Sequence, residues 1–373
     1  MWRPSYDDTG RSGHVRSAVF RGPGLPYDIV ETALDDPGPG QVRIAVLAAQ
    51  VCRTDAMQWA GALEAGRPAV FGHNGVAIVE ELGPGVTNVA VGERVVVTTT
   101  PECGECYWCL NGSTDQCVIT HILPFATVGT LPDGSRFEAN ANLGTYAQAT
   151  VVPASHLWPT RTALPDDQLA LVGCAVVSSV GHVMNVARVT PGSSVAILGM
   201  GVTGLISLQA ALLAGAQQIV AIDPHPGRRA LARGLGATQV LDPSGLDVVA
   251  AVRELTQGRG VDFAIECAGP SEAMEQAYDL TRRGGAVTIT GMSAANGTVT
   301  LPQIPLTVHG KRVEGSQNGK IRISRDLPRA IQLLEDGRIA LEPLITGRYS
   351  LGDLTEAMER SLGYDDIAGV LVP

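Results

Sequence analysis

Ser194-Val-Ala-Ile-Leu-Gly-Met-Gly-Val-Thr-Gly204 is the stretch on which the fold turns. An uncharged, β-branched run stops on a glycine-rich turn, and an apolar stretch of helical length follows it. Glycines at 199, 201 and 204 give G-x-G-x-x-G: the first permits a tight turn, the second lets a pyrophosphate approach the backbone, and the third lets helix close on strand. The helix N-terminus then faces the phosphates. The motif alone is weak, but Asp223 ends the next apolar run, 24 residues after Gly199, where a carboxylate can accept the adenosine ribose hydroxyls. Gly199, Gly201, Val202, Thr203, Gly204 and Asp223 therefore predict a dinucleotide site. Asp223 would repel a 2'-phosphate, which favours NAD over NADP. Arg228 and Arg229, just beyond it, could hold the ribose or tolerate an extra phosphate.

Outward from this motif, short apolar runs alternate with helix-length segments. Val195–Leu198, Ile219–Ile222, Gln239–Leu241, Phe263–Glu266, Ala286–Thr290 and Val313–Gly315 read as six strands of a doubly wound parallel sheet. Asp326 to Gly337 reads as a helix, and the tail from Leu341 returns to mixed β and helix. Before residue 181 the texture differs: β runs such as Gln41–Leu47, Val76–Leu82 and Arg94–Thr100 are broken by Pro-Gly turns. The expected organisation is a β-rich domain over 1–180, a dinucleotide-binding Rossmann domain over 181–320, and a return to the first domain over 321–373. A chain of 373 residues exceeds one ordinary hydrophobic core, in keeping with this division.

Composition narrows the partners. A net charge of -10, with Lys and Arg scattered, argues against nucleic acid or an anionic membrane and for a small molecule. The start, Met1-Trp-Arg-Pro-Ser-Tyr-Asp-Asp8, is polar and has no apolar segment behind it, so cytoplasm is expected. Val195 to Ile222 is uncharged and long enough to span a bilayer, which takes about 20 apolar residues. Its patterned glycines and the pair Gln217-Gln218 suit a buried strand-turn-helix-strand instead.

Six of the seven cysteines fall into two arrangements. Cys103, Cys106, Cys109 and Cys117 form C-x2-C-x2-C-x7-C within a lobe over 101–118, so four thiolates can close a tetrahedron around a structural zinc. Cys52 and Cys174 lie far apart with His73 between them. Two cysteines and a histidine give zinc three protein ligands and an open fourth position, which is the catalytic arrangement.

The surroundings of these residues, Val51-Cys-Arg-Thr-Asp55, Phe71-Gly-His-Asn-Gly75 and Val172-Gly-Cys-Ala-Val176, join the four-cysteine lobe and the Gly199-to-Asp223 block. Together they closely resemble the zinc-dependent medium-chain dehydrogenase family, alcohol dehydrogenase type, over all but about the first fifteen residues. The resemblance implies an α/β fold: a GroES-like β-rich catalytic domain beside a Rossmann domain with a six-stranded parallel sheet. It implies Zn2+, two per chain, with Cys52, His73 and Cys174 as catalytic ligands and NAD as hydride carrier. Asp55 would hold the ligand histidine, Thr54 would bond the substrate oxygen, and Arg53 would contact the cofactor pyrophosphate. The implied chemistry is Lewis-acid catalysis at an alcohol or carbonyl oxygen with hydride transfer. A homodimer or homotetramer, formed at the sheet edge near Val287 to Val299, is also implied.

Several residues depart from the family's pattern. Asn74 stands where a glutamate is usual, which removes a negative charge behind the metal. Met57 stands where many members have a histidine or another polar proton relay, and a thioether cannot relay a proton. Thr99 replaces a bulky aromatic of the cleft, with Trp59 expected nearby, and Ala368 replaces an arginine near the cofactor phosphates. These departures leave open a reductase of iminium or conjugated C=C bonds on the same scaffold, beside the leading alcohol and carbonyl reading. A thiol-aldehyde adduct dehydrogenase is a further branch, although nothing in the tail marks a thiol pocket. A non-catalytic zinc and nucleotide-binding protein is the reading outside enzymes, and full retention of the ligands and Thr54 weighs against it. His14, His121, His156, His182, His225 and His309 have no partner motif and read as structural or exposed, with His182 the one expected to border the cleft. Cys267 reads as a buried small hydrophobe.

Overall fold

The computed structural model describes residues 14–121, 126–293 and 296–373. The polar start from Met1 to Asp8, on which the cytoplasmic expectation rests, lies outside them. The chain divides into two compact units. One runs as far as Cys106, resumes over Cys117–Cys174 and closes with Leu341–Pro373; the other takes Tyr107–Gln116 and Ala175–Ala340.

The first unit is organised by the strand Gln41–Val51, whose Gln-Val-Arg-Ile alternation puts successive side chains on opposite faces. Val42 and Ile44 enter a core with Val79, Val95, Val97, Val152 and Leu157. Farther along, Val46, Ala49 and Val51 join Phe20, Phe71, Phe137 and Tyr146 in a second core. The strand pairs antiparallel with Gly75–Leu82, Ala149–Pro153 and Ala368–Leu371 in a seven-stranded sheet, beside a closed barrel of five short strands. Ala368–Leu371 is buried throughout, and Leu354, Ala357 and Met358 of the helix Leu354–Leu362 enter the second core. The C-terminal tail is thus part of this unit's interior. Trp59, expected near the substrate cleft, belongs to the same core: it is 7% exposed and its Nε1 donates to the Leu25 carbonyl at 2.7 Å.

The second unit carries six parallel strands in the order Gln239–Leu241, Gln218–Ile222, Ser194–Leu198, Val261–Glu266, Thr281–Ile289, Arg312–Gly315. Counted along the chain this is 3-2-1-4-5-6, the doubly wound order whose crevice lies at the carboxyl ends of the strands. The fifth strand begins at Thr281, earlier than the expected Ala286. Thr281 pairs with Val261, and a register shift before Ala286 absorbs the residues between them. Among the described residues one helical stretch, Asp166–Ala187, is long and apolar enough to cross a membrane, and 78% of its apolar window is buried inside the protein. Val195–Ile222 is instead strand, turn, helix and strand.

Candidate active site

Antiparallel pairing is what brings Cys52 to His73. Cys52 follows the C-terminal end of Gln41–Val51, His73 precedes the N-terminal end of Gly75–Leu82, and Ala48 pairs with Val76, so both residues fall at one end of the sheet. Cys174 comes from the helical turn Val172–Val176. Gly173 packs so closely on the neighbouring strand that a Cβ there would lie 2.1 Å from the Val97 carbonyl oxygen, and its own carbonyl accepts from Thr98 Oγ1 at 2.9 Å. Glycine at 173 therefore lets Cys174 reach the other two.

The two sulfurs and the imidazole nitrogen lie within 4.8 Å of one another, with Cys174 Sγ 3.7 Å from His73 Nε2. Tetrahedral zinc with Zn–S of about 2.3 Å and Zn–N of about 2.0 Å needs a separation close to this. The donor set fits the ion in chemistry as well. The bond from Cys174 and the nearby His73 hold the Cys52 thiol well below its ordinary value against the opposing effect of burial. The same Cys52 contact, then burial, raises Cys174. Burial alone would lower His73, but the charges of Asp55 and Cys52 outweigh it and raise the imidazole. Two soft sulfurs, that of Cys52 favoured as thiolate, and an imidazole held together are a set that a divalent cation satisfies by displacing the remaining protons.

Asp55 sits in the first turn of the helix Arg53–Trp59 and is fully buried. Its carboxylate lies 3.1 Å from His73 Nδ1, which directs Nε2 toward the sulfurs. Tyr146 supports it from behind. The phenol Oη donates toward Asp55 Oδ2 at 2.8 Å and toward the Gln50 carbonyl at 2.9 Å, and the Cys52 N–H reaches it at 3.4 Å. One buried hydroxyl therefore touches the backbone of one ligand and the carboxylate that orients another. Tyr146→Phe keeps the ring in its core and removes only that oxygen. We expect the variant to fold as the parent does and to lose zinc about 10-fold more readily to a chelator, the low end for removing an outer hydrogen bond from a metal ligand. Metal release measured with a zinc-sensitive dye checks this, and unchanged release would remove Tyr146 from the site's support.

Thr54 lies in the first turn of the same helix, with Oγ1 3.6 Å from Cys52 Sγ. Met57 lies one turn further along and is partly buried. Asn74 is completely buried, and its Nδ2 donates to Gln50 Oε1 at 2.8 Å, while Thr145 Oγ1 donates to the main-chain carbonyl of Asn74 at 2.9 Å. A neutral amide pair thus occupies the position where the family's carboxylate is expected. Gln50 has no motif in the sequence and becomes visible only through this contact and through Tyr146. Thr99 is partly exposed, and Ala368 is buried within its strand.

The sulfurs of Cys103, Cys106, Cys109 and Cys117 also lie within 4.8 Å of one another. The Cys106 N–H donates to Cys103 Sγ at 3.3 Å. Four convergent sulfurs fit a closed zinc site.

In the second unit, Gly199 has φ +89° and Gly201 caps the helix Val202–Leu213. A Cβ on Gly201 would meet nothing within 4 Å, whereas one on Gly204 would lie 1.8 Å from the Gly199 carbonyl oxygen. The middle glycine faces open space at a helix N-terminus and the third is pressed onto the turn. That is the division of roles that a pyrophosphate cradle requires. Val202 and Thr203 form the helix's first turn. Asp223, 3% exposed, accepts from the Met200 N–H at 2.7 Å and is tied to the same loop. Arg229 Nη1 donates to the carbonyls of Asp223 and Pro224, and its Nη2 pairs with Asp242 at 2.9 Å, while Arg228 is partly buried on the same helix.

Arg53, in the first unit, donates to the Ser361 carbonyl at 2.7 Å and stacks 4.0 Å over the Tyr364 ring. Among the histidines, His225 has a partner that the sequence did not disclose, since its Nδ1 lies 3.0 Å from Asp223 Oδ1. His156 and His182 are buried, and burial pushes each ring down to about 4. The His121 side chain lies outside the described residues. Burial likewise pushes Cys267 up to about 12, as expected of an inert thiol. Glu266 was missed from sequence: it ends a strand, is fully buried, and takes backbone N–H bonds from Ala268 and Gly269, each at 2.6 Å, and from Gly291 at 3.2 Å.

Two family descriptions match the chain, an alcohol dehydrogenase GroES-like domain over residues 38–166 and a zinc-binding dehydrogenase domain over residues 202–336. The S-(hydroxymethyl)glutathione dehydrogenase of Paracoccus denitrificans is 32% identical, with 96% of this chain and 99% of the relative covered. The enzyme of the same name from Synechocystis sp. is 35% identical over 92% of this chain and 95% of the relative. Among solved structures, benzyl alcohol dehydrogenase from Acinetobacter calcoaceticus superposes with a TM-score of 0.89 at 26% identity, covering 96% of this chain and 99% of that one. The fold and the site define a zinc-dependent oxidoreductase with a nicotinamide cofactor. The chain belongs to the zinc-dependent medium-chain dehydrogenase family, alcohol dehydrogenase type. It works on the alcohol and carbonyl couple, and its relatives do not favour the iminium or C=C reductase reading raised by Met57 and Asn74.

Proposed function

We propose that this enzyme uses NAD to oxidise a hydroxymethyl group, R–CH2OH, to the aldehyde level, and reduces the aldehyde in return. The observation that carries the reading is the Cys52, His73 and Cys174 donor set with Asp55 behind the imidazole. When bound, zinc would supply Lewis acidity at the alcohol oxygen and NAD the hydride acceptor. The remaining work belongs to the chain. Cys52, His73 and Cys174 would hold the ion, and Asp55 keeps His73 in the tautomer that turns Nε2 toward the two sulfurs. Thr54 receives the substrate hydroxyl and carries its proton outward. Met57, next along that helix face, has no hydrogen to pass, so the proton leaves through water.

We assign the cofactor to Gly199, Gly201, Val202, Thr203, Gly204, Asp223, Arg53 and Arg228, and the second zinc to Cys103, Cys106, Cys109 and Cys117. Catalysis is assigned to 1–180 with 321–373, and cofactor binding to 181–320. The hydroxymethyl class rests on what two relatives' names share: the S-hydroxymethyl group of a glutathione adduct and the hydroxymethyl group of benzyl alcohol are both primary. A homodimer or homotetramer is supported by apolar residues left exposed beside the edge strand Arg312–Gly315, with Ile304 68% and Val308 74% exposed. Cysteines gathered into metal-ligand arrangements support a reducing compartment, the cytoplasm.

The test is reduction of NAD+ by zinc-loaded protein with benzyl alcohol and with formaldehyde plus glutathione. Turnover of either supports the hydroxymethyl class, and the faster of the two names the carrier. Zinc-replete protein that turns over neither of these nor any other primary alcohol would sink the reading.

A further inference from the structure

Glu266 closes the strand Val261–Glu266 with a side chain that no solvent reaches. A buried carboxylate is costly to keep unless hydrogen bonds replace the water it gives up. Here those bonds come from the main chain, and among the described residues no basic side chain pairs with it. Oε1 accepts from the Ala268 and Gly269 N–H groups of its own turn, each at 2.6 Å. Oε2 accepts from the Gly291 N–H at 3.2 Å, in the turn after the neighbouring strand Thr281–Ile289. The Glu266 main-chain carbonyl reaches that second turn as well, accepting from the Thr290 N–H at 2.9 Å and from Thr290 Oγ1 at 2.6 Å.

The turns themselves are in backbone contact. A Cβ on Gly291 would lie 2.7 Å from Glu266 Oε2, one on Gly269 would lie 2.6 Å from the Met292 carbonyl oxygen, and one on Gly199 would lie 2.8 Å from the Ala268 nitrogen. Glu266 therefore sits at the junction of the turns that follow Ser194–Leu198, Val261–Glu266 and Thr281–Ile289. In the order 3-2-1-4-5-6 the crevice opens between the first of these strands and the second, at their carboxyl ends. Asp223 ends the strand Gln218–Ile222 on one side of that crevice, and Gly201 lies at its centre. With the adenosine ribose on Asp223 and the pyrophosphate at Gly201, the rest of the dinucleotide continues to the other side, over the two turns that Glu266 joins.

We propose that Glu266 is a positioning residue for the nicotinamide ring, its carboxylate fixing the turns at Ala268–Gly269 and Thr290–Met292 as one floor beneath the ring. This rests on the assignment of the cofactor to the Gly199–Gly204 turn and Asp223. The carboxylate is buried beneath the turns and acts on the cofactor only through their main chain.

Calorimetric titration of the zinc-loaded protein with NADH and with ADP-ribose tests this, because ADP-ribose keeps the adenosine, the pyrophosphate and the second ribose and lacks only the ring. Glu266→Gln has the same shape, but its amide offers one accepting oxygen and one donating nitrogen, so at least one of the three N–H groups meets a donor. NADH should bind about 10-fold more weakly to this variant, and ADP-ribose weaker by about 2-fold or less. Equal weakening of both ligands would reduce Glu266 to a support of the whole domain and overturn the proposal, as would NADH binding at the parent affinity. Thr290→Val leaves the carboxylate alone and removes only the hydroxyl bond of the same junction, so it decides the matter should Glu266→Gln fail to fold. It should show the same split at about 3-fold, and an equal or absent effect on the two ligands overturns the proposal as before. Gly201→Val separates the underlying assignment. If that variant binds ADP-ribose as the parent does, the cofactor's seat lies elsewhere; if it loses both ligands while Glu266→Gln shows no split, the seat stands and the positioning role fails.

Discussion

Cys174→Ser lowers kcat/KM by roughly 10^3-fold or more and leaves about one zinc per chain in place of two. Serine has nearly the shape of cysteine, but its hydroxyl does not ionise near neutral pH, so the ion would be left with one thiolate and one imidazole. The backbone should not notice the change. Gly173 still packs on Val97 and its carbonyl still accepts from Thr98, so the turn Val172–Val176 keeps its place. Metal analysis, melting temperature and steady-state kinetics on one preparation separate the possibilities. Cys109→Ser is the companion variant: it should also lose about one zinc, but the loss should register in melting temperature rather than in turnover per folded molecule. A Cys174→Ser protein that keeps both ions, or that loses one and still oxidises alcohols at the parent rate, would remove this trio from the chemistry.

The residues of that trio were legible because each carries its own local signal: a cysteine, a histidine and a glycine context that can be read without knowing the fold. The same holds for the nucleotide turn, where strand, glycines and helix are contiguous and the periodicity changes within a few residues. What supports the trio was not legible. Tyr146 lies 91 residues from Asp55 in sequence and 2.8 Å from it in space, and nothing in Gly144-Thr-Tyr-Ala147 distinguishes that hydroxyl from any aromatic in a β segment. Gln50 is hidden in the same way, at the end of an apolar strand. His225 carries no partner motif, although a side chain it contacts is two residues away. The side-chain contact depends on how the chain turns at Pro224, which periodicity does not report. Trp59 is a residue whose packing the sequence does not disclose: its indole N–H finds the Leu25 carbonyl and its rings lie in the core. Sequence patterns carry chemistry and local geometry well; the pairing of distant strands decides which polar groups meet.

Gly201→Val weakens NADH binding by about 100-fold or more and leaves the melting temperature nearly unchanged, whereas Gly204→Ala does the reverse. The two glycines belong to one motif, and the structure gives them opposite reasons for being glycine. Gly201 has φ -76°, a backbone that any residue can adopt, and a Cβ there meets nothing in the protein. Its missing side chain is therefore of no use to the fold, and valine would fill only the space where a pyrophosphate approaches the helix N-terminus. Gly204 is packed from within. A Cβ there would stand 1.8 Å from the Gly199 carbonyl oxygen, which is backbone and cannot rotate away, so even alanine forces helix and strand apart. Overpacking of this kind costs about 1–3 kcal/mol. Fluorescence titration with NADH and thermal melts of both variants decide the matter. If Gly201→Val bound NADH as the parent does, the open side of this turn would not be the cofactor's seat. If Gly204→Ala melted with the parent, the contact between turn and helix would be looser than the geometry requires.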